Sequence, residues 1–209
     1  MTLRSMTLTD FVAELASSSP APGGGSIAAL GGALAAGLAS MVGELTVGRE
    51  KYADVQDEMT RVKDEAKKVA AELLELIDRD TDAFNAYMAA LKLPKGTDEE
   101  KAARREAMQQ AAKGSVEVPL RTLELCAAAA RLALSAIRHG NANAVTDAAS
   151  AGQFARAAAM SAAYNVRINL LSIKDEVYVT ERRLAVADLL GSVESDMGSI
   201  SETIEKALA

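Results

Sequence analysis

Tryptophan is absent from this chain, aromatic residues make up 3% of it, and cysteine and histidine occur once each, at Cys126 and His139. A lone cysteine excludes an internal disulfide, and its neighbours Leu123, Glu124, Leu125 and Ala127 mark a helix position where a thiol packs as a small apolar group. The lone histidine has no cysteine, histidine or carboxylate at metal-ligand spacing, so no metal is expected and His139 is read as serving a helix end. A strand-to-helix dinucleotide fingerprint is also missing, which leaves no reason to expect a flavin or nicotinamide. Acids outnumber bases, giving a net charge of −6 and a pI near 5.0, and no basic cluster is interleaved with aromatics. Nucleic acid is therefore not an expected partner. Met1 to Thr9 lack the apolar stretch of a secretory signal, which points to the cytoplasm.

What the chain has instead is alanine. Hydrophobic residues reach 49% with alanine dominant and strand signals nearly missing, the profile of closely packed helices. The expectation is an all-α fold, an elongated bundle of long Ala-rich helices, with residues 1–209 as one domain around one core. The segment from Ser26 to Val47 has the length of a membrane span, with Glu44 as its only charge. Its content is Ala and Gly more than Leu, Ile or Phe, and Ala28, Gly32 and Ala36 recur beside Ala29, Ala33 and Gly37. Small residues on one side let helix axes come close, so this reads as the crowded central helix of a bundle.

That helix follows Ser19-Pro20-Ala21-Pro22-Gly23-Gly24-Gly25-Ser26, where two prolines and three glycines make a connector whose backbone can approach a ligand closely. Ser26 is the expected N-cap, and the free amides of such a helix start suit an anion. Before it, residues 8–16 form a short amphipathic helix with Leu8, Phe11, Val12 and Leu15 on one face and Thr7 to Asp10 as its cap. After it, a helix from Ala53 to about Leu91 carries Val55, Met59, Val62, Ala66, Val69, Leu73 and Leu76 at alternating steps of four and three, the seam that faces a partner helix. The next place in that seam is Asp80. A carboxylate there needs a specific partner or a polar cavity; the competing reading is that the seam drifts and leaves Asp80 at the edge of solvent. If desolvation dominates, its pKa is raised.

Leu93-Pro94-Lys95-Gly96 ends the long helix, and Thr97 with Glu100 caps the next. Pro119 either kinks that helix or opens a new one running through Ile137. Gly140, in the turn His139 to Asn143, is expected to take the left-handed conformation that closes a helix. Residues 144–170 form the penultimate helix, with Asp147 in its opening turn and Asn165 and Asn169 paired on one face; residues 174–208 form the last.

Taken in order, Ser19 to Ser26, Asp80-Thr81-Asp82-Ala83-Phe84, Leu93-Pro94-Lys95, and Gly140-Asn141 followed by Asp147 resemble the formiminotransferase-cyclodeaminase family, whose cyclodeaminase/cyclohydrolase domain acts on tetrahydrofolate derivatives. The resemblance implies a homodimer of all-helical subunits with folate sites at or near the interface, and a folate that is substrate rather than held cofactor. It implies a reaction at 5,10-methenyltetrahydrofolate: hydrolysis to 10-formyltetrahydrofolate or, alternatively, ring closure of 5-formiminotetrahydrofolate with release of ammonia. The lack of a formiminotransferase segment in this sequence favours the cyclohydrolase, whereas a separate formiminotransferase partner would favour the cyclodeaminase; a non-catalytic folate-binding or assembly protein is the reading from another class. The resemblance places Asp80 as the acid/base, with Asp147 as a second catalytic candidate. Pro22, Gly23, Gly24, Gly25, Ser26, Lys95, Asn143, Asn165 and Asn169 are the candidate substrate contacts, Lys95 toward the folate glutamate.

Overall fold

The computed structural model describes residues 2–209, and every long element in it is a helix: α1 (Leu8–Leu15), α2 (Gly24–Glu44), α3 (Gln56–Leu91), α4 (Asp98–His139), α5 (Val145–Leu170) and α6 (Glu176–Leu208). No strand occurs among the described residues, so the all-α expectation holds. α2 is the central element, packed against α3, α4 and α5, while α6 lies across α4 and α5. It is also the one described helix with the length and hydropathy to cross a membrane. Its alanines are instead spent on neighbouring helices, with Ala28, Ala29, Ala35, Ala36 and Ala39 at most 1% exposed. Each alanine buries little area, so this core gains from many close backbone approaches rather than from a few large side chains.

The seam on α3 is real. Met59, Val62, Ala66, Leu73 and Leu76 are buried, and Val55 and Val69 are half-buried against the same core. Asp78, off the seam midway between Leu76 and Asp80, holds the start of the chain: its carboxylate accepts from the Leu3 N–H at 2.8 Å and pairs with Arg4 at 3.2 Å. Cys126 lies fully buried in α4, and burial pushes its thiol up to about 12, which suits a packing role.

Three local readings are corrected, and the alternatives at Pro119 are resolved in favour of a continuing helix. α2 begins at Gly24 with Gly23 as its N-cap, so Ser26 sits inside the first turn and its hydroxyl is free for another use. α1 is capped by Thr7 as expected but buries only Phe11, leaving Leu8, Val12 and Leu15 exposed. α4 is one helix of 42 residues running through Pro119; neighbouring helices hold it together where proline removes a hydrogen bond. Gly140 has φ −78°, not the left-handed conformation. A Cβ there would lie 2.4 Å from the Ala136 carbonyl oxygen and 2.5 Å from Val42 Cγ1, so glycine is required by close approach. The next residue, Asn141, clasps α2 to this turn: its N–H donates to Thr46 Oγ1 at 2.8 Å and its amide to the Leu45 carbonyl at 3.0 Å.

Candidate active site

Asp80 stands on α3 against the first turn of α2, in a cavity that α4 and α5 complete. The seam brings it to the first turn of α2, and there the Ser26 hydroxyl donates to its Oδ2 at 2.9 Å. The anion expected at the α2 N-terminus is thus supplied by the protein itself. Three features of the first turn make this possible. The early N–H groups have no intrahelical acceptor, Ser26 adds a hydroxyl, and Gly25 leaves room. A Cβ at Gly25 would lie 2.2 Å from Asp80 Oδ1, a distance at which something must move. Burial pushes the Asp80 carboxyl above its ordinary value, and the hydrogen bonds from the Ser26 side chain and backbone offset part of the rise.

The carboxylate lies on the wall of a cavity of about 450 Å³, within the range of small-molecule sites. α3 contributes Asp80, Ala83, Phe84 and Tyr87, which recur at steps of three and four and so share one face. α2 contributes Gly24 and Gly25, α4 contributes Ser115, and α5 contributes Asn165, Ile168 and Asn169. Phe84 is 39% exposed and Ile168 61% exposed, so apolar side chains of α3 and α5 stay open to solvent at a cavity that also carries Asp80 and two asparagines. Such a site can hold a planar heterocycle between carbon walls while amides address its edge.

Asn169 has a structural reason for being there. Pro119 lacks an N–H, so the carbonyl four residues earlier, at Ser115, loses its helical donor. The Asn169 amide replaces it, donating to the Ser115 carbonyl oxygen at 2.6 Å. A buried carbonyl left bare would cost about 1–3 kcal/mol. The interruption of α4 and the paired asparagines of α5 are therefore one feature, and both lie on the cavity. The Asn165 amide is tied to the Ser161 carbonyl at 2.9 Å, which leaves the side-chain oxygens of the two asparagines as the groups free to accept.

Of the residues singled out in the sequence, the fold brings Asp80, Gly23, Gly24, Gly25, Asn165 and Asn169 to one cavity. Ser26 is fully buried behind it and spends its hydroxyl on Asp80, so it orients the carboxylate and does not face a ligand. Pro22 is buried between two lining residues, Ala21 and Gly23, without lining the cavity itself. Asp147, in the first turn of α5, and Asn143, in the turn just before that helix, are not brought there: Asn165 is 18 residues beyond Asp147 along α5, about 27 Å at 1.5 Å per residue. Lys95 sits exposed in the turn between α3 and α4, off the cavity wall. Phe84, Tyr87, Ser115, Ile168 and Ser172 also line the cavity and were not among the candidate contacts. For Tyr87 the signal was present, since it continues the seam through Asp80 and Ala83; for Ser115 it was the proline four residues on.

The family model described as formiminotransferase-cyclodeaminase matches residues 7–188. The chain belongs to this family. Methenyltetrahydrofolate cyclohydrolase of Methylorubrum extorquens is 39% identical over 198 residues, which cover 95% of this chain and 93% of that protein. Formimidoyltransferase-cyclodeaminase of Rattus norvegicus is 34% identical over 199 residues, and the match spans 37% of its length. The crystal structure of formiminotetrahydrofolate cyclodeaminase from Thermotoga maritima superposes with a TM-score of 0.89 at 26% identity, covering 99% of this chain and 100% of that one. The formiminotransferase-cyclodeaminase match spans every helix from α1 to α5 and part of α6.

Proposed function

We propose that this protein is a methenyltetrahydrofolate cyclohydrolase in which Asp80 holds and moves the proton. The observation that carries the reading is a desolvated carboxylate, oriented by Ser26, on the wall of a cavity that apolar side chains and two asparagines also line. The match to a cyclohydrolase over nearly the full length of both chains supports the choice of reaction. The bridging carbon of 5,10-methenyltetrahydrofolate belongs to a cationic amidinium, and ionised Asp80 beside it offsets the charge in a site of low dielectric. Water attacks that carbon as Asp80 takes one of its protons, giving a neutral carbinolamine. Asp80 then returns the proton to N5 as the carbon–N5 bond breaks, the hydroxyl proton leaves to solvent, and 10-formyltetrahydrofolate results with one net proton released.

The likeness to a solved formiminotetrahydrofolate cyclodeaminase over both whole chains favours a second reading. In it N10 attacks the formimino carbon, Asp80 accepts the N10 proton, and ammonia leaves protonated by the same group; a separate formiminotransferase would then supply the substrate. Incubating the protein with each substrate and following methenyl absorbance and ammonia decides between them. Loss of methenyl absorbance above the spontaneous rate, with no closure of the formimino substrate, is the expected result. Closure with equimolar ammonia moves the assignment to the cyclodeaminase, and no change in either reaction removes both enzyme readings.

The same reading includes a homodimer. An apolar groove lies on the outer side of α2 and α5, walled by Ile27, Leu30, Leu34, Phe154 and Ala157, with Leu34 50% and Phe154 47% exposed. Carbon of this extent on two core helices needs a cover, and a second copy supplies a matching face by symmetry. Leu34→Glu is expected to convert the wild-type dimer to monomer in sedimentation at micromolar concentration. A wild-type monomer, or a dimer indifferent to the change, would remove this interface.

A further inference from the structure

Ile168 is a wall of two cavities. Its inner side borders the Asp80 site, and its outer side borders an open depression of about 600 Å³ between α5 and α6, lined otherwise by Tyr164, Arg167, Leu171 and Arg183. The two guanidiniums there differ from their neighbours. Arg182, adjacent to Arg183, is held by Glu117 at 2.8 Å, and Arg156 on α5 is held by Glu194 at 2.7 Å. Arg167 and Arg183 make no ion pair within 4.0 Å among the described residues. In a chain with 29 acids against 23 bases, two unpaired arginines facing one depression form a local reversal of charge, and their planar forks suit carboxylates.

We propose that Arg167 and Arg183 bind the carboxylates of the substrate's glutamate tail, which leaves the reaction cavity over Ile168. This rests on the folate reading above and adds to it the exit path and the residues that favour a longer tail. The heterocyclic end of a folate is the part that matches the Asp80 cavity; its glutamate end carries charges that are costly to desolvate and stay near water. The crossing is short. From Asn165 on the cavity wall to Leu171 on the outer depression α5 rises only about 9 Å at 1.5 Å per residue, and one side chain, Ile168, separates the two spaces. Lys95, expected from sequence to meet the glutamate, has no place on either wall. Each γ-linked glutamate adds a carboxylate, so a depression with two free guanidiniums binds a triglutamate more tightly than a monoglutamate.

The test is calorimetric binding of 5-formyltetrahydrofolate as monoglutamate and as triglutamate to the whole chain and to the Arg167→Gln/Arg183→Gln variant, at low and high salt, with circular dichroism to confirm folding. The wild type is expected to favour the triglutamate by about tenfold at low salt, with the gap narrowing as salt screens it. In the double variant the two Kd values should converge. Equal wild-type affinities, or a gap that survives in the variant, would overturn the proposal. So would a variant that loses its self-association in sedimentation while keeping the gap, since the guanidiniums would then serve a subunit contact. Binding is measured without turnover, so failure of the tail site and failure of the reaction assignment read out separately.

Discussion

Asp80→Asn is expected to lower kcat by about 10²–10⁴-fold, the usual worth of a positioned acid/base, and at the same time to raise the melting temperature at pH 7. The two effects share one cause. Burial makes the ionised carboxylate costly and lifts its pKa in the folded state, so the fold binds this proton more tightly than the unfolded chain does. The contribution of such a group to stability is fully present below its unfolded value of about 3.9 and is lost as pH rises through the raised folded value. At pH 7 the wild type bears that loss; an asparagine, neutral at every pH, does not, and its amide still fills the space beside Ser26. The stability gain should therefore fade as pH falls below about 4. Activity runs with the opposite sign: kcat/KM of the wild type falls as pH drops through the Asp80 pKa, because the ionised form must accept the proton from water. Ser26→Ala removes a donor to that form and should move the acid limb to higher pH. Melting curves at two pH values and a pH–rate profile measure all of this. Full turnover in Asp80→Asn would end the acid/base assignment, and a destabilised variant at pH 7 would mean that the carboxylate's hydrogen bonds outweigh its burial.

Gly25→Ala should cost at least about 10²-fold in kcat, the penalty of a misplacement of about 1 Å in a reacting group, with a smaller effect on KM. The added methyl would stand 2.2 Å from Asp80 Oδ1 and 2.6 Å from its Cγ. Both are parts of a side chain held by Ser26 on one side and by the body of α3 on the other, so the carboxylate must turn away or α2 must retreat. Gly24→Ala is the internal control. Its Cβ would meet the Asn165 amide nitrogen at 3.2 Å, the far end of a side chain that can rotate, and a loss of no more than a few fold is expected. Equal losses in the two variants, or none in Gly25→Ala, would show that crowding at Asp80 does not limit turnover.

Periodicity and punctuation made much of the fold legible beforehand. The alternating steps on α3 named the buried face, residue by residue, through Leu76, and the same count put Asp80 on that face. Thr97 and Glu100 announced the start of α4, where both hydrogen bonds of a capping box are present. Other features were not legible because their reason lies in a second helix. At Pro119 the sequence left a kink and a new helix as alternatives, since nothing nearby in sequence says that Asn169, 50 residues on, supplies the missing donor. Gly140 read as a left-handed residue because local rules know glycine for its φ, whereas here Val42 of α2 sets the need. Asp147, in the opening turn of α5, shared that helix with Asn165 and Asn169, and a pattern along one helix cannot tell which end of it meets the site.

The sequence by itself determined the helices, the buried face of α3, the family, and the chemistry available at Asp80, because each follows from spacing or residue type along a continuous stretch. The tertiary structure alone decided that Ser26 serves Asp80 rather than a ligand, that Gly25 exists to make room for a carboxylate, and that the cavity draws on α2 to α5 while leaving Lys95 and Asp147 outside. Those outcomes depend on distances between segments far apart in the chain, and such distances are set by how the helices pack.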